Sequence, residues 1–156
     1  MGRVFFNTSE NIHTLTADYQ VLASDSGKVF IMDSTSACSF TLPADADIAE
    51  GWNCRFYCKT ANDNAYLIKC TDVTDTTGQM FVGGFSVAST TDGFGHAVLA
   101  AANDSQIAFD ANLANGAGEP GSYMDIVKIA ANKFAISGFM ISDDGDTDGS
   151  AVLSNI

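Results

Sequence analysis

Apolar and polar residues alternate with a period of two along much of this chain, and turn-forming residues interrupt the alternation at short intervals. Trp52 to Lys59 is the clearest case. Trp52, Cys54, Phe56 and Cys58 fall on one face, and Asn53, Arg55, Tyr57 and Lys59 on the other. Successive side chains of a strand point to opposite faces, so the first set reads as a core face and the second as a face for solvent or a partner. Ser36 to Leu42 repeats the pattern with Cys38, Phe40 and Leu42 inward. Pro43 ends it, because proline brings no N–H to a ladder.

Tyr19 to Ala23 and Lys28 to Asp33 flank Ser24-Asp25-Ser26-Gly27, which predicts two strands joined by a tight connection. Ala44 to Gly51 reads as an acidic turn with room for one helical turn. Thr60 to Asn64 is a turn and Ala65 to Cys70 the returning strand, so the middle of the chain predicts a β-meander. Gln79 to Val87 is apolar but broken by Gly83-Gly84, which suggests a bulge or a corner. Gly93 to Ala102 fits a strand or a short helix, and Ser105 to Phe109 a short strand. A loop over Asn112 to Gly121 precedes a hairpin of Tyr123 to Ala130 and Lys133 to Ile141 around Ala131-Asn132. An acidic, glycine-rich loop from Ser142 to Gly149 and a short tail end the chain. No stretch of ten or more residues carries a helical pattern, and no linker divides the chain. The expectation is an all-β fold: a single-domain β-sandwich or small β-barrel over residues 17–156, with an extended N-terminal arm over 1–16.

The N-terminal residues differ from the rest. Val4, Phe5 and Phe6 form an apolar tip beside Arg3, followed by the polar stretch Asn7 to Asn11. Apolar residues at a terminus favour burial. They suit either a first strand of the domain or an arm that docks on a neighbouring subunit. In the second case Arg3, Val4, Phe5 and Phe6 are the contact.

Charge narrows the partners. Nineteen acidic and seven basic residues give a net charge of -12. Nucleic acid is bound through clustered Lys and Arg that displace counterions. Arg3, Lys28, Arg55, Lys59, Lys69, Lys128 and Lys133 are scattered, so neither nucleic acid nor an anionic membrane is an expected partner. The longest apolar run, Ala97 to Ala102, is far short of the roughly 20 residues of a membrane helix. The apolar run at the N-terminus is too short for a signal peptide, and Phe6 stands where a myristoylation signal needs Ser or Thr. Synthesis and folding in a cytoplasm are expected.

Candidate chemistry is sparse. Cys54 and Cys58 share one face of one strand, with Cα atoms about 13 Å apart, beyond disulfide reach. Cys38 lies on the face with Phe40 and Leu42, and Cys70 on the face with Tyr66 and Ile68, so all four read as buried free thiols. His13 and His96 sit in no nucleophile motif, and Asp45, Asp47, Asp143 and Asp144 stand in turn-like stretches. An enzyme is not expected, and no cofactor is implied. Asp144-Gly145-Asp146-Thr147-Asp148-Gly149 matches the first half of a calcium loop, with Asp144, Asp146 and Asp148 as ligands. The twelfth position is Asn155 where a bidentate Glu belongs, so an exposed acidic turn is the competing reading.

One segment resembles a known family. Leu15-Thr16-Ala17-Asp18 and Leu22-Ala23-Ser24-Asp25-Ser26-Gly27-Lys28-Val29-Phe30 lead to Phe40-Thr41-Leu42-Pro43, then Gly51-Trp52 and the aromatic strand Cys54 to Cys58. The order is similar to a pattern found in bacteriophage virion structural proteins, including head decoration (cement) proteins and parts of tail fibres. It covers roughly residues 15 to 70. The resemblance implies a β-rich virion protein, often a homotrimer, with no catalytic residues. As a decoration protein it would sit on the outer surface of the capsid and clamp the major capsid protein where subunits meet. As a fibre or receptor module it would use exposed aromatics such as Tyr57 or Tyr66 against sugars.

Overall fold

The computed structural model describes residues 11–73, 78–91, 93, 95–112, 114–143 and 149–155. The strands in order are β1 (Ile12–Leu15), β2 (Tyr19–Gln20), β3 (Lys28–Met32), β4 (Cys38–Thr41), β5 (Asn53–Cys58) and β6 (Tyr66–Lys69). They continue with β7 (Met80–Ser89), β8 (Gly95–Leu99), β9 (Gln106–Phe109), β10 (Tyr123–Ala130), β11 (Lys133–Ser142) and β12 (Leu153–Ser154). A seven-stranded sheet has the order β1-β3-β5-β10-β11-β7-β8, and a five-stranded sheet the order β12-β9-β6-β4-β2. The fold is all-β and sandwich-like. Ala23–Asp25 and Asp45–Asp47 are short 3₁₀ turns, and among the described residues there is no α-helix.

The first half of the chain is laced between the sheets. β1, β3 and β5 lie side by side and parallel in the larger sheet, and β2, β4 and β6 do the same in the smaller one. Each connection from β1 to β6 therefore crosses from one layer to the other. This corrects one expectation: β5 and β6 are not part of a meander. The connection from β2 to β3 joins strands of different sheets. Alternation fixes which face of a strand is buried but not which strand lies beside it. A 3₁₀ turn at Ala23–Asp25, closed from Asp25 N–H to the Leu22 carbonyl, carries the chain across the sandwich.

The buried faces are those the alternation predicts. Trp52, Cys54, Phe56 and Cys58 are buried, as are Cys38, Phe40, Leu42, Tyr66, Ile68 and Cys70. Within the larger sheet Phe30 stacks on Phe56 with centroids 5.0 Å apart; within the smaller, Phe40 stacks on Tyr66 at 6.0 Å. Phe40 and Phe56, 5.8 Å apart, join the two layers. One apolar cluster runs from Leu15 to Val152.

The second half matches its pattern more directly. β10 and β11 form the hairpin, with Asn132 at φ 58 in the turn. Gly93 to Ala102 resolves as strand β8. Gly83-Gly84 makes no register shift: Gly83 pairs with Ile136 and Ser86 with Phe139 in one continuous register. The glycines serve close approach instead. At φ +99, a Cβ on Gly83 would lie 2.7 Å from the Ile136 carbonyl oxygen. Of the segment expected as an arm, residues 1–10 lie outside the described residues, while Ile12–Leu15 form edge strand β1 with Leu15 buried.

Candidate binding face on the seven-stranded sheet

The outer face of the seven-stranded sheet carries the side chains that alternate with the core. Strand register brings Ile31, Tyr57, Tyr123 and Phe139 into one row across β3, β5, β10 and β11. The Tyr57 and Tyr123 rings stack with centroids 5.9 Å apart and planes 15° from parallel. Tyr57 and Phe139 are each 37% exposed, and Ile12, on the same sheet's edge strand, is 51% exposed.

The neighbouring row holds Val29, Arg55, Asp125 and Ser137. Arg55 Nε and Nη2 each donate to one Asp125 carboxylate oxygen at 2.6 Å. The guanidinium carbon lies 4.8 Å from the Tyr123 ring centroid, within cation–π range. The hydrogen bonds to Asp125 raise the Arg55 pKa, so the guanidinium stays charged. Arg55 is 43% exposed at its side chain, and a pair this open to water adds only about 0–1 kcal/mol to stability. Its larger effect is to fix a donor fork and a carboxylate beside the tyrosines. A shallow depression of about 390 Å³ adjoins the pair, lined by Val29, Asn53 and Val127 as well as by Arg55, Asp125 and Ser137.

Charge is sorted by position in the fold. Among the described residues, Asp125 is the one acid on a strand, whereas Lys28, Arg55, Lys69, Lys128 and Lys133 all stand on strands. Lys28 pairs with Asp25 at 2.7 Å, Lys59 with Asp33 at 2.6 Å and Lys128 with Asp45 at 2.8 Å. The described acid excess thus lies in the connections, and the sheet face is close to neutral.

The residues of the family-like segment are framework. Asp25, 1% exposed, accepts hydrogen bonds from Tyr19 Oη, Leu22 N–H and Lys28 Nζ. Burial disfavours its charge, but these donors outweigh burial and hold its pKa below the ordinary range. Gly27, at φ +83, donates from its N–H to the Asn53 carbonyl, and Trp52 Nε1 donates to the Ala23 carbonyl at 3.1 Å. The Pro43 carbonyl accepts from Gln79 Nε2 at 2.9 Å. Asp-Ser-Gly-Lys, Thr-Leu-Pro and Gly-Trp therefore punctuate the crossings between layers.

Arg3, Val4, Phe5 and Phe6 lie outside the described residues, as do Asp144, Asp146 and Asp148. Tyr66 is fully buried, with its hydroxyl between Ser34 and Thr60, so it cannot meet a ligand as Tyr57 can. His13 packs edge-on to Tyr19 at 4.8 Å on β1, and His96 stands on β8 at the opposite edge of the sheet. Among the described residues no three His, Cys, Asp or Glu side chains converge as a metal site. No helix there is long and apolar enough to cross a membrane. No family model, curated protein or solved structure matches the chain.

Proposed function

We propose that this protein is a decoration (cement) protein on the outer surface of a tailed-bacteriophage head, docking where copies of the major capsid protein meet. The row Ile31–Tyr57–Tyr123–Phe139 beside the fixed Arg55–Asp125 pair carries the reading. Tyr and Arg held rigidly on a near-neutral face are the side chains that dominate protein contacts, and acidic surroundings form the solvated rim. A protein that binds only the assembled shell stabilises it by mass action. The N-terminal residues Arg3 to Phe6 supply a second contact in this proposal.

Electron cryo-microscopy of purified particles tests it. Density repeated over the whole head, with the seven-stranded sheet turned toward the shell, is the expected result. In a shell-binding assay, replacing Tyr57 and Tyr123 by Ala weakens binding at least tenfold, as loss of central aromatic anchors does. Density confined to the tail, or a double variant that binds normally, overturns the docking face.

A tail-fibre or carbohydrate-binding module is the second reading. The exposed Tyr57 ring and the depression beside Arg55 and Asp125 favour it. Copy number separates the two: hundreds per particle for a decoration protein, a handful for a fibre.

A further inference from the structure

The loop between β9 and β10 holds Asn115-Gly116, and each other asparagine of the chain is followed by a residue with a side chain. Asn115 is exposed, at φ 60, in the left-handed region that asparagine enters more readily than most residues. Its carboxamide makes no hydrogen bond with the described residues. Other carboxamides are held: Asn53 Nδ2 donates to the Gly51 carbonyl at 2.9 Å, Asn62 Nδ2 to the Ser36 carbonyl at 2.8 Å and Asn64 Nδ2 to the Thr35 carbonyl at 3.1 Å. Around Asn115 it is the main chain that is fixed. The Asn115 carbonyl accepts from the Ala151 N–H at 3.1 Å, which ties the loop to the segment that enters β12. Gly116, Ala117 and Gly118 are buried, and a Cβ on Gly118 would lie 2.7 Å from the Asp110 nitrogen.

We propose that Asn115 is a site of spontaneous deamidation, and that its isoaspartate product loosens the anchorage of β12. Glycine has no Cβ to crowd its own nitrogen. The Gly116 nitrogen, on losing its proton to base, attacks Cγ of Asn115. The new N–Cγ bond closes a five-membered succinimide as the Cγ–Nδ2 bond breaks and ammonia leaves. Water then opens the ring at either carbonyl. Opening at Cγ restores the ordinary main chain with a carboxylate side chain. Opening at the main-chain carbonyl leaves isoaspartate, whose main chain runs through Cβ and Cγ. One water is consumed and one ammonia released, and nothing is oxidised or reduced. The first product keeps every backbone contact and adds one negative charge. In the second, the oxygen that accepted from Ala151 belongs to a free carboxylate, and the chain is one carbon longer between the Ala151 contact and buried Ala117. Both seats cannot be kept. Loss of the Ala151 contact leaves the C-terminal strand held by the Ala108 N–H to the Val152 carbonyl at 2.8 Å and by its short pairing with β9. The inference does not depend on what the sheet face binds.

The test holds the whole protein in mildly alkaline native buffer for several weeks. Aliquots are mapped by peptide mass spectrometry and labelled with an isoaspartate methyltransferase. Asn115 should lose its amide at least tenfold faster than any other asparagine, and the peptide that contains it should take the label. Asn115→Gly, which suits φ 60, should abolish the label on that peptide. The aged protein should melt lower than fresh protein and exchange the Ala151 amide faster. Fresh Asn115→Asp should match the fresh protein on both counts, and aged Asn115→Gly should keep the Tm of its own fresh sample. An Asn115 amide that survives in the native state while the urea-unfolded chain loses it, or a label that Asn115→Gly leaves in place, overturns the site. An aged protein that melts and exchanges like the fresh one, or a Tm that falls as far with Asn115→Gly, overturns the loosening. Should Asn115→Gly fail to fold, the mass map and amide exchange of the unaltered chain decide alone.

Discussion

Phe30 and Phe56 are direct partners on adjacent parallel strands, and their rings stack 5.0 Å apart with planes 25° from parallel. Both are fully buried, and Phe56 also reaches Phe40 in the opposite layer. Phe56→Ala would empty the junction of two rows and two sheets. Its expected cost is about 3–5 kcal/mol, the range for a large aromatic deleted from a packed core. Phe139→Ala, on the outer face, should cost much less. Urea denaturation of the two variants checks the contrast.

Asp25 is a buried carboxylate with three donors and holds the first crossing in place. Asp25→Ala leaves the Lys28 ammonium and the Leu22 N–H without their acceptor. The expected loss is about 1–3 kcal/mol, the cost of buried donors left without their acceptor, because the Lys28 ammonium keeps access to water. Thermal unfolding measures it. Lys28→Met, which keeps the stem and drops the charge, leaves the buried carboxylate without its counter-ion and should cost at least as much, although Tyr19 and Leu22 still donate to it.

Stability should peak on the acid side of neutral. For Asp25 burial works against the charge but its donors prevail, and for Asp45 the Lys128 hydrogen bond leads, so both pKa values fall below the ordinary 3.8. A depressed folded-state value gives stability that is complete above the unfolded pKa and is lost as pH falls through the folded one. Glu119 runs the other way. Burial first, then repulsion from Asp143 and Asp63, raises its pKa above 4.5, so its contribution is complete below 4.5 and is lost as pH rises through the raised value. Tm measured from pH 3 to 8 should rise and then fall, and Glu119→Gln should flatten the upper limb alone.

The thiols should be silent in the native protein. Cys38, Cys54, Cys58 and Cys70 are free and buried. Burial pushes Cys58 and Cys70 up to about 12 and Cys54 higher still, so little thiolate forms at pH 8. A colorimetric thiol reagent should label none of them until denaturant is added, and then all four. Labelling in the absence of denaturant would show that the sandwich opens.

How much of this was legible in the sequence follows from what a period of two encodes. It assigns faces, so the inward Cys54 and Phe56 and the outward Arg55 and Tyr57 read directly. It also sets Tyr66 with Ile68 on the inward side, which argues against a ligand role for that tyrosine. It does not encode neighbours. Arg55 and Asp125 lie 70 residues apart in the chain, and only the pairing of β5 with β10 brings them to 2.6 Å. The candidate face was therefore half visible, as one strand's outward side chains without their partners. The hairpin at Asn132 was legible because its turn is local, whereas the crossings between layers rest on contacts such as Trp52 to Ala23 that no short pattern contains.

The lacing of β1 to β6 also bears on how the molecule carries load. In a sandwich whose layers are each built from consecutive strands, the two sheets are held together mainly by apolar contact and can part along the core. Here the backbone itself runs from layer to layer at each of the first connections, like thread through two pieces of cloth. A pull at right angles to the sheets, with one layer fastened to a partner and the other free, would be borne by covalent bonds as well as by packed side chains.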